Sequence, residues 1–129
     1  MDKTKIKGID HIGIPTEDIE KTISFYEKLG FTISFETKNP NNGARVAFLT
    51  LNDLVIETYE VKTSARTNGA VDHFSLSVND VESLYKEAVN EGYEILTDGI
   101  ETLPFWENGV SFFKVKGPNG EAVELLEKL

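Results

Sequence analysis

IDHIGIPTEDIEKTISFYEKLGF, residues 9–31, runs from an alternating apolar stretch into a helix-like stretch and ends on Gly-Phe. The same pattern returns as VDHFSLSVNDVESLYKEAVNEGY at residues 71–93, with Asp-His at the same two places and a glycine followed by an aromatic residue at the end. Matches in one frame through a strand, a helix and a turn indicate an internal repeat. We therefore predict two copies of one structural unit.

Each copy carries the signals of a strand followed by a helix. Asp18 and Asp80 stand where helix N-caps are expected, and apolar residues recur after them at helical spacing. Gly30 and Gly92 follow the last predicted turn, which is typical of a left-handed C-terminal cap. Both helices are thus predicted to bury one apolar face.

Three strand-like segments follow each helix, separated by the turn sequences NPNNG, LND, ENG and GPNG. They are FTISFE, ARVAFLTL and DLVIETYEV in the first copy and YEILTD, GVSFFKV and EAVELLEKL in the second. The predicted fold class is α+β, with two tandem β-α-β-β-β modules at residues 1–62 and 69–129 that form a mixed sheet within a single domain, 1–129.

The composition narrows the class of protein. The chain has 129 residues, of which 40% are hydrophobic, and it has no apolar run long enough to span a membrane. A net charge of −9 argues against a nucleic-acid partner, because such a surface repels phosphate. The start of the chain lacks an apolar export signal, so we expect a cytoplasmic protein. The absence of cysteine leaves His, Asp and Glu for metal binding or acid–base chemistry.

The only two histidines, His11 and His73, occupy equivalent places in the two copies. Strand alternation puts His11 on the face opposite Ile12 and Ile14, so its imidazole should point away from the helix. A lone histidine at such a place is more often a hydrogen-bonded core residue than a ligand. The repetition favours a functional role instead.

Glu57 and Glu124 form a second repeated pair, because LNDLVIETYE aligns with PNGEAVELLE. Each carboxylate lies mid-strand among apolar residues, where an isolated charge is costly unless a counter-ion neutralises it. One explanation is a solvated glutamate on an edge strand, and the other is a bound divalent cation. The appearance of His and Glu as two matched pairs favours a metal site. Its predicted ligands are His11, Glu57, His73 and Glu124, which suit Ni, Co, Zn, Mn or Fe.

Four segments of the chain resemble the vicinal oxygen chelate superfamily, namely DHIGIPTEDIEKTISFYEKLGF, VIETYE, VDHFSLSV and PNGEAVELLE. This superfamily includes glyoxalase I, methylmalonyl-CoA epimerase, extradiol dioxygenases, fosfomycin-resistance enzymes and bleomycin-binding proteins. The resemblance implies paired modules whose sheet curves around a metal, and a homodimer with sites shared between chains. In glyoxalase I the ligands follow the order His, Glu, His, Glu, which His11, Glu57, His73 and Glu124 match. Glu57 therefore favours glyoxalase I over the epimerase, which has Gln at that place.

The resemblance also implies a mechanism. A metal would chelate two adjacent oxygens of a small substrate and stabilise an enediolate as a Lewis acid. Glu124 would be the base that moves a proton between neighbouring carbons, with Glu57 as its partner. By analogy, His11 and Glu57 of one subunit would face His73 and Glu124 of the other.

Glutathione-dependent bacterial glyoxalases carry an Arg and an Asn that hold glutathione, and Pro15 and Val61 stand at those places here. The sequence therefore does not identify the thiol cofactor or the substrate. LPFWENG, residues 103–109, is a candidate substrate lid, although core packing explains its aromatic residues equally well. The candidate pocket residues are Arg45, Phe48, Tyr59, Phe105, Trp106 and Phe112.

We interpret the sequence as a glyoxalase I-like metal-dependent lyase or isomerase, similar to lactoylglutathione lyase. An epimerase or a dioxygenase on the same scaffold is the alternative among enzymes. The alternative outside enzymes is a protein that binds a metabolite or drug without turnover, as the bleomycin-binding members do.

Overall fold

A computed structural model describes residues 1, 3–5 and 7–129 of the chain. These residues divide into two compact units, Met1–Ser64 and Ala65–Leu129. Each unit contains one helix and one four-stranded mixed sheet, which confirms the predicted α+β class. Among the described residues, no helix has the length and apolar character needed to cross a membrane.

The first unit has the predicted β-α-β-β-β order. After a short 3-10 turn at Lys3–Lys5, its elements are β1 (Ile12–Thr16), α1 (Ile19–Lys28), β2 (Thr32–Lys38), β3 (Arg45–Leu51) and β4 (Leu54–Glu60). The strand order in the sheet is β1-β4-β3-β2. β1 and β4 are parallel, whereas the other two pairings are antiparallel. The first and last strands of the unit are therefore neighbours.

The second unit repeats this arrangement. Its elements are β5 (Phe74–Ser77), α2 (Val81–Asn90), β6 (Glu101–Leu103), β7 (Val110–Lys116) and β8 (Ala122–Lys128). The strand order is β5-β8-β7-β6, with β5 parallel to β8. The second copy thus reproduces both the chain order and the pairing of the first.

The helix ends follow the predicted signals. The side chains of Asp18 and Asp80 each accept a hydrogen bond from a backbone N–H three residues later. Gly30 has a φ of 97°, and the N–H of Phe31 donates to the carbonyl of Tyr26 at 3.0 Å. That bond closes a Schellman motif, which requires a left-handed residue and so favours glycine.

The helices bury the faces that the sequence indicates. In the first unit, Ile19, Ile23 and Tyr26 of α1 are buried together with Leu49 and Ile56 of the sheet. In the second unit the ring of Tyr85 on α2 contacts Phe113 edge-on, with ring centroids 5.3 Å apart. Apolar burial of this kind is the main stabilising term in a domain of this size.

One predicted strand is wrong. YEILTD was expected to follow α2 as a strand, but the structure has only an isolated bridge there, between Ile95 and Val115. The Oγ1 of Thr97 accepts a hydrogen bond from the backbone of Lys114, and Gly99 then adopts a φ of 70°. This bend ends the pairing, and β6 forms only at Glu101–Leu103, in a part of the chain for which no strand was predicted.

Candidate metal centre

The first histidine–glutamate pair lies within the first unit. His11 immediately precedes β1, and Glu57 lies in the middle of β4, the parallel neighbour of β1. The Nε2 atom of His11 is 3.1 Å from the Oε2 atom of Glu57. His11 thus lies just before β1 rather than within it, yet the imidazole still meets the carboxylate.

Strand alternation explains why these side chains share a face. Ile14 and Thr58 point to the helix side and are buried, so Gly13 and Glu57 point to the opposite face. A Cβ atom at Gly13 would lie 3.8 Å from the ring of Tyr59 and 4.0 Å from Oε2 of Glu57. The absence of a side chain at Gly13 therefore leaves room beside the carboxylate.

The second pair lies within the second unit. His73 immediately precedes β5, and Glu124 lies in β8. The Nε2 atom of His73 is 3.7 Å from the Oε2 atom of Glu124. The Glu124 side chain is only 8% exposed, whereas that of Glu57 is 27% exposed. The two carboxylates therefore have different access to water.

An aspartate holds each imidazole from its other side. Nδ1 of His11 is 2.7 Å from Oδ2 of Asp10, and Nδ1 of His73 is 2.7 Å from Oδ2 of Asp72. An ionised carboxylate can only accept a hydrogen bond, so Nδ1 donates in both pairs and Nε2 is turned toward the glutamate. Metal-binding histidines are commonly oriented by a carboxylate in this way.

These contacts also shift pKa values. The hydrogen bond to Asp10 raises the pKa of His11, and the negative charge of Glu57 adds to the effect. The hydrogen bond from His73 lowers the pKa of Asp72, and the positive charge of Lys114 acts in the same direction. Both shifts reflect favourable pairing of a hydrogen-bond donor or a positive charge with a carboxylate.

Lys114 lies on the same face of the second sheet as Glu124, and the sequence analysis missed it. It lies in β7 directly across from Glu124, and its Nζ atom is 3.9 Å from Oε2 of Glu124 and 3.7 Å from Oδ2 of Asp72. A charged residue inside the apolar strand VSFFKVK was a signal of the same kind as the mid-strand glutamates. Lys114 thus places an ammonium group beside the buried carboxylate.

The first unit has an aromatic ring in the equivalent place. Phe48 lies across from Glu57 in β3, and its ring meets the imidazole of His11 edge-on at 5.6 Å between centroids. Tyr59 shares this face. The two copies of the unit therefore keep the Asp-His-Glu arrangement but differ at the residue that faces the glutamate.

The remaining predicted pocket residues lie in different settings. Phe112 is buried on the same face as Glu124, because it is two residues from Lys114 in β7. Phe105 and Trp106 are exposed in the loop between β6 and β7, and Nζ of Lys128 lies 3.9 Å from the ring centroid of Trp106.

Arg45 points away from the first histidine–glutamate pair. Arg45 is two residues from the buried Ala47 in β3, so both side chains point to the same face. The guanidinium of Arg45 pairs with Glu20 of α1 at 2.5 Å and with Glu36 at 3.8 Å. This charge lies on the helix side of the sheet. Arg45 therefore lies apart from the surface that carries His11 and Glu57.

The donor atoms suit a divalent cation. Two donors that bind one first-row cation at right angles, with bonds of about 2.1 Å, are roughly 3 Å apart. The Nε2–Oε2 distances of 3.1 and 3.7 Å are close to this spacing. Within residues 1, 3–5 and 7–129, no group of three or more His, Asp or Glu side chains that could hold a metal is found. The four-residue ligand set remains a prediction.

Comparisons with known proteins decide the family. The model of the Glyoxalase/Bleomycin resistance protein/Dioxygenase superfamily matches residues 8–125. The chain belongs to this superfamily. This result confirms the resemblance to vicinal oxygen chelate proteins that the repeated segments indicated.

A curated relative and two solved structures are similar to the chain. The uncharacterized protein YwbC of Bacillus subtilis is 32% identical, over 95% of this chain and 98% of its own length. A crystal structure of a glyoxalase family protein from Bacillus cereus has a TM-score of 0.79 at 18% identity and covers 100% of this chain and 99% of its own. The fosfomycin resistance protein FosX from Listeria monocytogenes, solved with Mn(II) and sulfate, has a TM-score of 0.74 at 14% identity. The match covers 96% of this chain and 94% of the FosX chain.

Proposed function

We propose that the protein is a metal-dependent lyase or isomerase, similar to glyoxalase I, that moves a proton between adjacent carbons of a small substrate. The observation that carries this proposal is the repeated Asp-His-Glu arrangement, in which each unit directs one imidazole Nε2 toward one carboxylate. A histidine with only a structural role would not need to recur in the same orientation in both units. Superfamily membership supports the proposal.

The four proposed ligands are His11, Glu57, His73 and Glu124. When bound, a divalent cation would supply Lewis-acid stabilisation of negative charge on two adjacent substrate oxygens. Asp10 and Asp72 would keep each imidazole in the tautomer that leaves Nε2 free to bind. Nitrogen and oxygen donors of this kind suit Mn, Fe, Co, Ni and Zn.

Glu124 is the proposed base. Its side chain is nearly buried, so few waters compete for its oxygens, and it can take a proton from a substrate carbon held against the face of β8. Glu57 is proposed to return or take the proton on the other side of the substrate. Its greater exposure and the space above Gly13 leave room for the substrate.

We propose that glutathione does not bind in the mode of the bacterial glyoxalases, because Pro15 and Val61 replace the two residues that would hold it. Pro15 pairs with Tyr59 in the sheet and offers an apolar ring where an arginine would hold the thiol cofactor. The N–H of Val61 donates to the carbonyl of Thr16, and its side chain offers no amide. We therefore propose an adduct of another thiol, or a small oxygen-chelating substrate.

Metal analysis tests the proposal. Protein purified in the presence of nickel or cobalt should contain close to one divalent ion per chain after dialysis. His11→Ala and Glu124→Ala should abolish retention, whereas Glu82→Ala, an exposed change on α2, should not. Metal-free wild-type protein from such a preparation would contradict the proposal and favour a non-catalytic binding protein.

Mixed dimers test the proposed sharing of sites between subunits. His11→Ala and Glu124→Ala chains are each expected to be inactive alone. A dimer that pairs His11 and Glu57 of one chain with His73 and Glu124 of the other keeps one intact site when the two variants are mixed. Refolding them together should therefore restore metal binding to about half of the mixed dimers' sites. No recovery would indicate that each chain forms its own site.

Turnover assays distinguish the reaction. Nickel- or cobalt-loaded protein should isomerise methylglyoxal adducts of at least one of several thiols, with loss of activity in Glu124→Gln. Oxygen consumption with a catechol would instead indicate a dioxygenase, and inversion of configuration at a substrate C–H carbon would indicate an epimerase. Metal binding with none of these activities would remove the glyoxalase assignment.

A further inference from the structure

Lys114 breaks the equivalence of the two units. In the first unit the residue across from the glutamate is Phe48, which packs against His11. In the second unit it is Lys114, whose Nζ lies between Oδ2 of Asp72 and Oε2 of Glu124. Its side chain is 23% exposed, so the ammonium group sits partly sheltered on the face of the sheet that carries His73.

We propose that Lys114 is a specificity-determining residue that binds an anionic group of the substrate, beside the oxygens that the cation chelates. This inference rests on the proposed function, because it assigns the substrate a charge at the same site. The chemical class is a small molecule with two adjacent oxygen donors and a separate carboxylate, phosphate or phosphonate.

A bound cation would change the charges around Lys114. In the described structure the ammonium of Lys114 lies beside the buried carboxylate of Glu124, as does the imidazole of His73. A divalent cation that takes the oxygens of Glu124 replaces the ammonium of Lys114. Lys114 would then lie beside a cation with Asp72 as its remaining carboxylate contact, and an anion of the substrate would stabilise the partly sheltered ammonium further.

The strand register places Lys114 beside any ligand of Glu124. Lys114 and Glu124 are opposite residues of an antiparallel pair, so their side chains leave the sheet side by side. A ligand held by Glu124 therefore has Lys114 as its neighbour on β7. The flexible stem of lysine lets Nζ turn a few ångströms from Glu124 to a substrate group without a change in the strand.

Lys116 offers a matched control. It lies on the same strand and the same face, two residues from Lys114, but its Nζ pairs with Glu94 at 3.4 Å. Lys116→Met removes the same charge as Lys114→Met without touching the histidine–glutamate pair. The comparison separates a local contact from a general change in net charge.

The test uses full-length, cobalt-loaded protein and two hydroxamates. Butyrohydroxamate and succinate monohydroxamate share a chelating group and a four-carbon chain, but only the second has a carboxylate at its far end. Binding is measured from the visible spectrum of the cobalt ion. Wild type and the Lys116→Met variant should prefer the anionic probe by about tenfold, which is the effect of one charge-assisted hydrogen bond at a partly exposed site.

Lys114→Met should abolish this preference and leave cobalt binding at least as tight as in wild type, whereas Lys114→Arg should retain the preference. Equal affinities for the two probes in wild type, or an unchanged preference in Lys114→Met, would overturn the inference. A loss of cobalt binding in Lys114→Met would overturn it too, because it would show that Lys114 supports the metal ligands. Failure of wild type to take up cobalt would instead reject the proposed function, and this inference with it.

Discussion

Thr58→Val should stabilise the protein. Thr58 lies in β4 next to Glu57, but it points to the helix side and is fully buried. Among the residues that the structure describes, its Oγ1 atom has no hydrogen-bond partner. Valine has nearly the same shape and replaces this hydroxyl by a methyl group, so the change should remove a desolvation penalty without creating a cavity.

The magnitude follows from the burial of the hydroxyl. An unsatisfied buried polar group costs about 1–3 kcal/mol, and the added methyl gains roughly 0.8 kcal/mol if it packs fully. Some strain from the new methyl offsets part of this gain. We expect the free energy of unfolding to rise by about 1–2 kcal/mol, which corresponds to a Tm increase of roughly 3–8 °C for a domain of this size.

Thr22→Val is the matched control. Thr22 is equally buried, but its hydroxyl lies 2.9 Å from that of Thr16, so the same substitution breaks a hydrogen bond. It should lower the free energy of unfolding by about 1 kcal/mol. Urea unfolding followed by circular dichroism measures both variants, with an unchanged m-value as the criterion of a simple stability effect. Destabilisation by Thr58→Val similar to that by Thr22→Val would refute the assignment of an unsatisfied hydroxyl.

Further predictions concern the site and the helix end. Asp72→Asn should weaken cobalt binding by about tenfold or more, because the imidazole loses its charged acceptor, whereas Asp53→Asn in the turn between β3 and β4 should leave it unchanged. In metal-free protein, NMR titration should place the pKa of His11 above the ordinary 6.5, and Asp10→Asn should lower it. An NMR titration midpoint below 6.5 for His11 in metal-free protein would contradict the described contacts. Because the proton competes with the cation for Nε2, metal binding should weaken as the pH falls through this raised pKa. Gly30→Ala should lower the free energy of unfolding by about 1 kcal/mol in urea, since alanine is strained at a φ of 97°.

Most of the fold could be predicted because local signals and the repeat agreed. Asp18 and Gly30 mark the ends of α1 by side-chain and backbone chemistry that does not depend on distant contacts. The strand after α2 could not be placed, because its pairing depends on a tertiary contact between Thr97 and the backbone of β7. Such a contact leaves no periodic pattern in the sequence.

Only part of the candidate site could be predicted from the same sequence signals. Alternation and the repeat predicted that His11 would share a face with Glu57, and the side chains do meet. The part played by Lys114 depends on the register between β7 and β8, which a sequence pattern leaves undetermined to within a residue or two. The same holds for Arg45, which lies on the helix side of β3, since a one-residue difference in parity moves a side chain to the other face.

The parallel pairings of β1 with β4 and of β5 with β8 have a consequence for folding. Each joins the first strand of a unit to its last, so it closes the longest loop in that unit and should form late. The histidine and the glutamate of a unit lie on these two strands or directly before them, and they are adjacent only once the loop is closed. A cation that binds both residues would therefore favour the completed unit over partly folded chains, and added metal should slow unfolding more than it speeds refolding.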